Sequence, residues 1–371
     1  TRGFKDSAVE TNRPVSGIAV DTTTGPDDIV YVAWRLNLAG KPARPAIAVS
    51  TDGARTFGPP IDVAADFFAN PANITGTIPE DRKKPEHLAG FNPAATIDDK
   101  GRLYVLWERR TTGVTPAPQF AYYVSRVTDQ GRSITVHEVF PETPNLAGGV
   151  LTWSPEGGAD GTLHAVWHAK PGQTQGETDI YHRRSIDGGR TWGQPTKLND
   201  DDPAALQSQF NPNVSIAPDG RVDVAWWDFR NDQGTYSNDV YYTYSTDNGL
   251  SWSRNVRISD RSINRKIGPW SNNFDMRQPP GVGSADEYAV FVWDDTRNGD
   301  STVQAQDMYA AAVQFEPLAR SGVPNAVKIV LAVLVGLGAV GLILLLTSAV
   351  GRRRSAAGGA GAERSQPVEV A

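Results

Sequence analysis

The 371-residue sequence contains no cysteine, two methionines and five histidines. Without thiols there are no disulfides, no thiolate nucleophile and no cysteine-based zinc site. His87, His137, His164 and His182 share no spacing of a metal centre. An excess of positive charge is also missing. Thirty-six Lys and Arg stand against 42 Asp and Glu, a formal net charge of −6 with an isoelectric point near 5.5. No Lys/Arg cluster interrupts the repeats described below, so nucleic-acid binding is not expected. Thr1 is preceded by no methionine, and no charged and apolar leader follows it, so the chain reads as a processed or truncated product.

What is abundant is the vocabulary of strands and turns: 36 Gly, 26 Pro, ten Trp and eleven Tyr. Five apolar runs end in tryptophan, at Trp34, Trp107, Trp167, Trp226 and Trp293, with steps of 73, 60, 59 and 67 residues. A recurrence near 60 residues marks a repeated unit. Alternation and β-branched content make that unit sheet. The clearest copy predicts four strands, a over Asn213–Ala217, b over Arg221–Trp226, c over Asp239–Ser245 and d over Asn255–Ser259. The expected fold class is all-β, a β-propeller of four-stranded antiparallel blades, five of them visible.

Three c–d connections carry one pattern, Ser-x-Asp-x-Gly-x-Ser/Thr-aromatic with one residue of slack. They are Ser50–Gly58, Ser185–Gly193 and Ser245–Ser253, and they place Asp52, Asp187 and Asp247 before Phe57, Trp192 and Trp252. The carboxylate suits a tight turn's backbone amides, Gly or Asn tolerates positive φ, and the aromatic packs beneath the hairpin. The second unit replaces the pattern with Thr128–Ser133 and loses the aromatic.

These residues resemble the Asp-box, or bacterial neuraminidase repeat, of sialidase-like β-propellers, over roughly residues 10–315. The resemblance implies six blades. In that family the Asp-box is a hairpin device and does not perform the chemistry. Unlike the family's Phe/Tyr-Arg-Ile-Pro motif, Asn12-Arg13-Pro14 lacks the isoleucine spacer. No tyrosine can be assigned the nucleophile's role that a sialidase-type site needs.

Two insertions break the period, the Pro-rich Asp66–Gly90 and Asp260–Gly283, the latter with Trp270, Phe274, Asp275 and Arg277. The fifth unit stops after Tyr309 without an outer strand of its own, and either Phe4–Thr11 or a unit before Thr1 would complete it. From Ile329 to Val350 run 22 residues without charge, enough for one transmembrane helix. Arg352, Arg353 and Arg354 follow, which places the C-terminus in the cytoplasm and the propeller outside. The expected organisation is an extracellular propeller over residues 1–318, a linker over 319–328, the helix over 329–350 and a disordered tail over 351–371.

Antiparallel strands alternate in direction, so starts of a, ends of b and starts of c share one face, opposite the Asp-boxes. That rim offers Arg13, Arg35, Glu108, Arg109, Asp228, Arg230, Asp294 and Arg297. The arginines suit bidentate binding of an acidic sugar, with Glu108 or Asp294 as acid/base. Against this stands repetition. Asp228-x-Arg230 recurs as Asp295-x-Arg297, and pairing of Arg230 with Asp239 and of Arg297 with Asp307 would be scaffold. Trp270, Asp275 and Arg277 suit sugar stacking, or a loop folded on its own aromatics. Asn199-Asp200-Asp201-Asp202 offers oxygens to Ca²⁺ or is a solvated acidic loop; no other cofactor is expected. The chain is thus expected to be a monomer that meets a carbohydrate or cell-envelope ligand and, through its helix, a membrane. Recognition without catalysis and exo-acting glycoside hydrolysis both remain open.

Overall fold

The structure is a computed structural model. It describes residues 17–22, 28–37, 41–70, 88–111, 119–144, 146–169, 178–202, 207–232, 236–268, 278–300, 302–303, 305–315 and 332–334. The described residues form five antiparallel sheets. The first holds β1 (Gly17–Asp21), β2 (Ile29–Leu36), β3 (Arg44–Ser50) and β4 (Ile61–Asp62), followed by the short helix α1 (Ala65–Ala69). The second is β5 (Leu88–Ile97), β6 (Leu103–Thr111), β7 (Gln119–Thr128) and β8 (Ser133–Pro144). The third is β9 (Leu146–Ser154), β10 (Thr162–Ala169), β11 (Asp179–Ser185) and β12 (Thr196–Lys197).

The fourth sheet runs β13 (Gln209–Ile216), β14 (Val222–Asp228), β15 (Ser237–Ser245) and β16 (Val256–Arg257), with β17 (Ile263–Asn264) also paired to β15. The fifth is β18 (Gly281–Ser284), β19 (Tyr288–Asp295), β20 (Asp307–Gln314) and β21 (Ala332–Leu334). Sequential neighbours pair throughout, so each sheet is the expected a-b-c-d meander. The predicted strands of the fourth unit are recovered to within a few residues.

Two compact units divide the chain: Thr1–Asn199 with Ser208–Val214, and Asp200–Gln207 with Ser215–Ala371. In the first, alternation along β6 explains the core. Leu103, Val105 and Trp107 point to one face and join Tyr31, Ile47, Phe67 and Phe68 from the first sheet and α1. Tyr104 and Leu106 point to the other and join Leu163, Ala165 and Trp167 of the third sheet. A strand buried on both faces reads as a continuous apolar run, which is how Leu103–Trp107 reads. Trp107 is stacked on Tyr123 at 5.1 Å and edge-on to Phe67 at 5.7 Å. Truncating such a side chain to alanine costs about 3–5 kcal/mol.

In the second unit every residue of β14 is buried. Tyr242 meets Phe291 at 4.7 Å and Tyr244 meets Phe315 at 5.1 Å, joining the fourth sheet to the fifth. Arg221, just before β14, adds a polar strap. Its Nε donates to Asp223 at 2.9 Å, its terminal nitrogens donate to the carbonyls of Ala285, Asp286 and Tyr288, and its guanidinium lies 3.8 Å over the Phe315 ring. Tyr242 Oη donates to the same Asp223 carboxylate. The second sheet carries a counterpart: Arg102 bonds Asp98 and reaches Asp160 in the third sheet at 2.7 Å.

Four expectations change. The insertion Asp66–Gly90 is not wholly loop, because α1 buries Phe67 and Phe68 and β5 already starts at Leu88. The insertion Asp260–Gly283 contributes β17 and the start of β18. The fifth sheet takes its fourth strand from Ala332–Leu334; Phe4–Thr11 lies outside the described residues. Of the uncharged stretch Ile329–Val350 only those same three residues are described, and they are strand. No helix among the described residues is long and apolar enough to cross a membrane.

Candidate functional site

The c–d turns fold around their aspartates. Asp52 Oδ1 accepts from the amides of Arg55 and Thr56, both at 2.9 Å, and from Ser50 Oγ at 2.7 Å, while Oδ2 accepts from Thr56 Oγ1 at 2.6 Å. The Thr56 hydroxyl and amide, with Ser50, hold that carboxyl well below its ordinary range. Asp187 makes the same set with Ser185 and Thr191, and Asp247 with Ser245, Leu250 and Ser251. Each turn needs two consecutive residues at positive φ: Gly53 and Ala54, Gly188 and Gly189, Asn248 and Gly249. Trp192 Nε1 closes the third-sheet turn on Gly189 O, and Phe57 packs on the first sheet. Trp252 is half-buried beside the fourth. These carboxylates are bonded to the hydroxyls and amides of their own turns, as a structural role requires.

At the opposite strand ends, where b runs into c, the fourth and fifth sheets build one corner twice. Asp228 Oδ1 accepts from Arg230 N, and Oδ2 from Trp226 Nε1 and Arg230 Nη2. Asp295 repeats this with Arg297 and Trp293. Each arginine lies over a tyrosine of strand c, Tyr241 at 4.1 Å and Tyr309 at 4.0 Å, and takes a second carboxylate, Asp200 or Asp260. The neighbouring asparagine then bonds the first acid of c: Asn231 to Asp239, Asn298 to Asp307. The expected pairs Arg230–Asp239 and Arg297–Asp307 are therefore not formed. Each strand ends at its aspartate, and the turn that follows, closed by the arginine's amide on that carboxylate, brings the guanidinium back over the same aspartate.

The second sheet ends differently. Trp107 Nε1 donates to Ser125 Oγ, and Glu108, fully buried, accepts from Arg110 Nε and lies 3.5 Å from Tyr122 Oη. Burial foremost, then the Glu108 charge, pushes the Tyr122 phenol well above its usual range. A Cβ at Gly149 would lie 2.8 Å from the Tyr122 ring, and the Gly149 amide donates to Tyr122 Oη at 2.9 Å. Arg109 is fully buried, 5.9 Å over Tyr123. This carboxylate and phenol are enclosed.

One rim position varies chemically from sheet to sheet, the residue directly after each tryptophan: Arg35, Glu108, His168, Trp227 and Asp294. Arg35 is half-buried. His168, half-exposed by area, accepts from Asn211 N at 3.3 Å, and burial of its ring lowers its pKa to about 4. Trp227 donates to Gln278 O at 2.9 Å. Asp294 is half-buried, with its carboxyl pushed up by burial alone. Arg13, Trp270, Asp275 and Arg277 lie outside the described residues.

A concavity of about 330 Å³ lies in the first unit, lined by Asp66, Phe67, Tyr123, Ile134, Val136, His137 and Glu138. None of the site residues expected from sequence lines it, and α1, which forms one wall, carries no sequence signal beyond two adjacent phenylalanines. Among the described residues no group of three or more His, Asp or Glu side chains is arranged to hold a metal ion. Asp200, in the run considered for Ca²⁺, instead accepts from Arg230 Nη1 at 2.7 Å and from Asn255 N at 3.0 Å.

The chain matches no protein-family model and no curated protein sequence. Among solved structures it is similar to a protein of unknown function from Dyadobacter fermentans, at 13% identity over 80% of this chain and 78% of that one, with a TM-score of 0.49. It is similar to the α-L-arabinanase of Penicillium chrysogenum complexed with arabinobiose, at 13% identity, 83% and 90% coverage and a TM-score of 0.44. The NanB sialidase of Streptococcus pneumoniae follows at 11% identity and a TM-score of 0.44, with 81% of this chain on 58% of that one.

Proposed function

We propose that this chain is a sialidase-like Asp-box β-propeller, anchored by one C-terminal helix with its sheets outside the cell, that recognises a glycan or another cell-envelope ligand. The observation that carries the reading is the division of labour at the b–c corners. Aspartate and arginine that repeat are bonded to one another, whereas the position after each tryptophan changes from arginine to glutamate, histidine, tryptophan and aspartate. Glu108 and Trp227 are buried, but Arg35 and His168 in the first unit and Asp294 in the second keep part of their surface open, and such different groups on one kind of strand end suit a ligand with several different polar edges, as a saccharide has. The three Asp-centred turns, alike in sequence and in hydrogen bonding, support the propeller and its Asp-box kinship. The uncharged run at Ile329–Val350, followed by three arginines, supports the anchor and its orientation; in the anchored form Ala332–Leu334 would leave the edge of β20 for the helix.

Recognition is favoured over catalysis because Glu108, with its Arg110 and Tyr122 partners, is enclosed. One observation favours the second reading, an exo-acting glycosidase: the Asp294 carboxyl is raised by burial, as a general acid requires. A glycan array with the full chain, run beside turnover of fluorogenic glycosides, separates the two. Binding without turnover is the expected result. Turnover abolished by Asp294→Asn would make it an enzyme, and silence in both assays would overturn the glycan reading. Accessibility of residues 1–318 to protease on intact cells, with the tail after Arg354 protected, is the expected outcome for the anchor.

A further inference from the structure

Among the described residues the fourth sheet alone carries an extra strand, and that strand mounts cations. Residues 257–266 hold Arg257, Arg261, Arg265 and Lys266 against the single acid Asp260, in a chain whose net charge is −6. With the three arginines four apart and only Lys266 adjacent to one of them, these cations do not stand out as a basic run. The fold gathers them. β17 pairs with Ser237 and Asn238, and Arg265 N donates to Tyr236 O at 2.8 Å. This sets the Arg265 guanidinium 5.0 Å over Phe229 and Lys266 Nζ 3.2 Å over Tyr236. Arg257 reaches Ser262 Oγ at 3.1 Å, tying the strand's start to β16.

The ledge is fixed from below. Thr296 Oγ1 donates to Asn264 O at 2.9 Å, and a Cβ at Gly299 would stand 2.5 Å from Ile267, so only glycine allows this approach. Its acids are already taken. Arg297 binds Asp260 through both terminal nitrogens, and Arg257 binds Asp239. Asp260 is held low first by Arg297 and in smaller part by Arg261. What remains outward is positive: Arg261 and Lys266 are exposed and ion-pair with no described carboxylate, beside a Tyr236 ring that is 44% exposed.

We infer that the β17 ledge is a docking surface for an anionic polysaccharide, one bearing uronate or sulfate groups. This rests on the glycan reading above and narrows it to acidic chains. Spaced cations beside an aromatic ring fit a polymer that alternates charged groups with apolar sugar faces. The chain's overall negative charge disfavours the denser phosphate array of a nucleic acid.

The test measures binding of the full chain to polygalacturonate, dextran sulfate, neutral dextran and oligothymidylate, by affinity electrophoresis between about 50 and about 200 mM salt. Binding to polygalacturonate or dextran sulfate is expected, weakening as salt rises. The double variant Arg261→Ala/Lys266→Ala is expected to weaken it about 10-fold or more and to flatten the salt dependence by up to about two in log–log slope, with an unchanged melting temperature. An unaltered affinity in that variant, failure to bind either acidic polymer, or tighter binding to oligothymidylate would overturn the inference. Retained binding to neutral glycans on the array would then show that the ledge fails and the broader glycan reading survives; an empty array would show that both fail.

Discussion

The corner ending β14 and the corner ending β6 begin alike, with a tryptophan at the close of an apolar strand, and diverge within two residues. After Trp226 the chain places an aspartate whose two oxygens take an indole, a backbone amide and a guanidinium, and the arginine spreads over a tyrosine ring. After Trp107 it places a glutamate one residue earlier, and the indole turns to a serine instead. The first corner is a closed circuit of local bonds that β19 repeats. The second trades the circuit for an enclosed carboxylate beside a phenol. Repetition marks the parts that hold strands together, and departure from it marks where a carboxylate has been set in a different environment.

The strongest break in this comparison is at Asp228. Asp228→Ala leaves the buried Trp226 indole without its acceptor and Arg230, 14% exposed, with Asp200 as its remaining carboxylate, and should cost about 2–4 kcal/mol in chemical denaturation, with Asp295→Ala close behind. Glu108→Gln keeps an acceptor for Arg110 and should cost less, about 1–3 kcal/mol. Equal losses at the two corners would erase the distinction. On the Asp-box side, Asp247→Ala removes bonds from a partly solvated turn and should cost about 1 kcal/mol in the same assay. Ala54→Gly should do the opposite there. It relieves an alanine held at φ 65° and should raise stability by less than about 1 kcal/mol, whereas the turns that already have Gly189 or Gly249 offer no such gain.

Acid should sharpen the contrast last and least. His182 is fully buried, and its pKa is lowered chiefly by burial and next by His164, whose Nδ1 is 3.0 Å from His182 Nε2. A histidine depressed in the folded state is protonated first in the unfolded one. Stability is therefore full above its unfolded pKa of about 6.5 and falls as pH drops below it. His168 adds to the loss between about 6.5 and its folded value of about 4. Denaturation midpoints that stay flat from neutral pH to pH 5 would contradict this, and His182→Gln should remove part of the slope.

The repeated unit was legible because its signals are local: alternation, a tryptophan before the turn, and an Asp-Gly turn whose hydrogen bonds lie within seven residues. The partners of Arg230 were half legible. The spacing Asp228-x-Arg230 marks a tight turn that brings the two together, but the choice between Asp228 and Asp239 is settled by where strand c starts and by Asn231 filling that place. β17 was not legible, because two residues in a polar stretch carry no period, and its pairing depends on the open edge that the start of β15 leaves beyond β16. Nor could the sequence separate a half-buried rim carboxylate from a fully enclosed one, since Glu108 and Asp294 both follow a strand's closing tryptophan and differ in what is packed around them.

The Arg221 strap reaches beyond the packing it serves. One side chain from the fourth sheet occupies three carbonyls at the a–b turn of the fifth, so that turn cannot open without withdrawing a guanidinium from an aromatic face and a carboxylate. Local fraying is thereby converted into joint unfolding. The amides of Ala285 and Tyr288 should exchange with deuterium on the timescale of those of Asp223 and Val224 in β14, although more than 60 residues of chain lie between them.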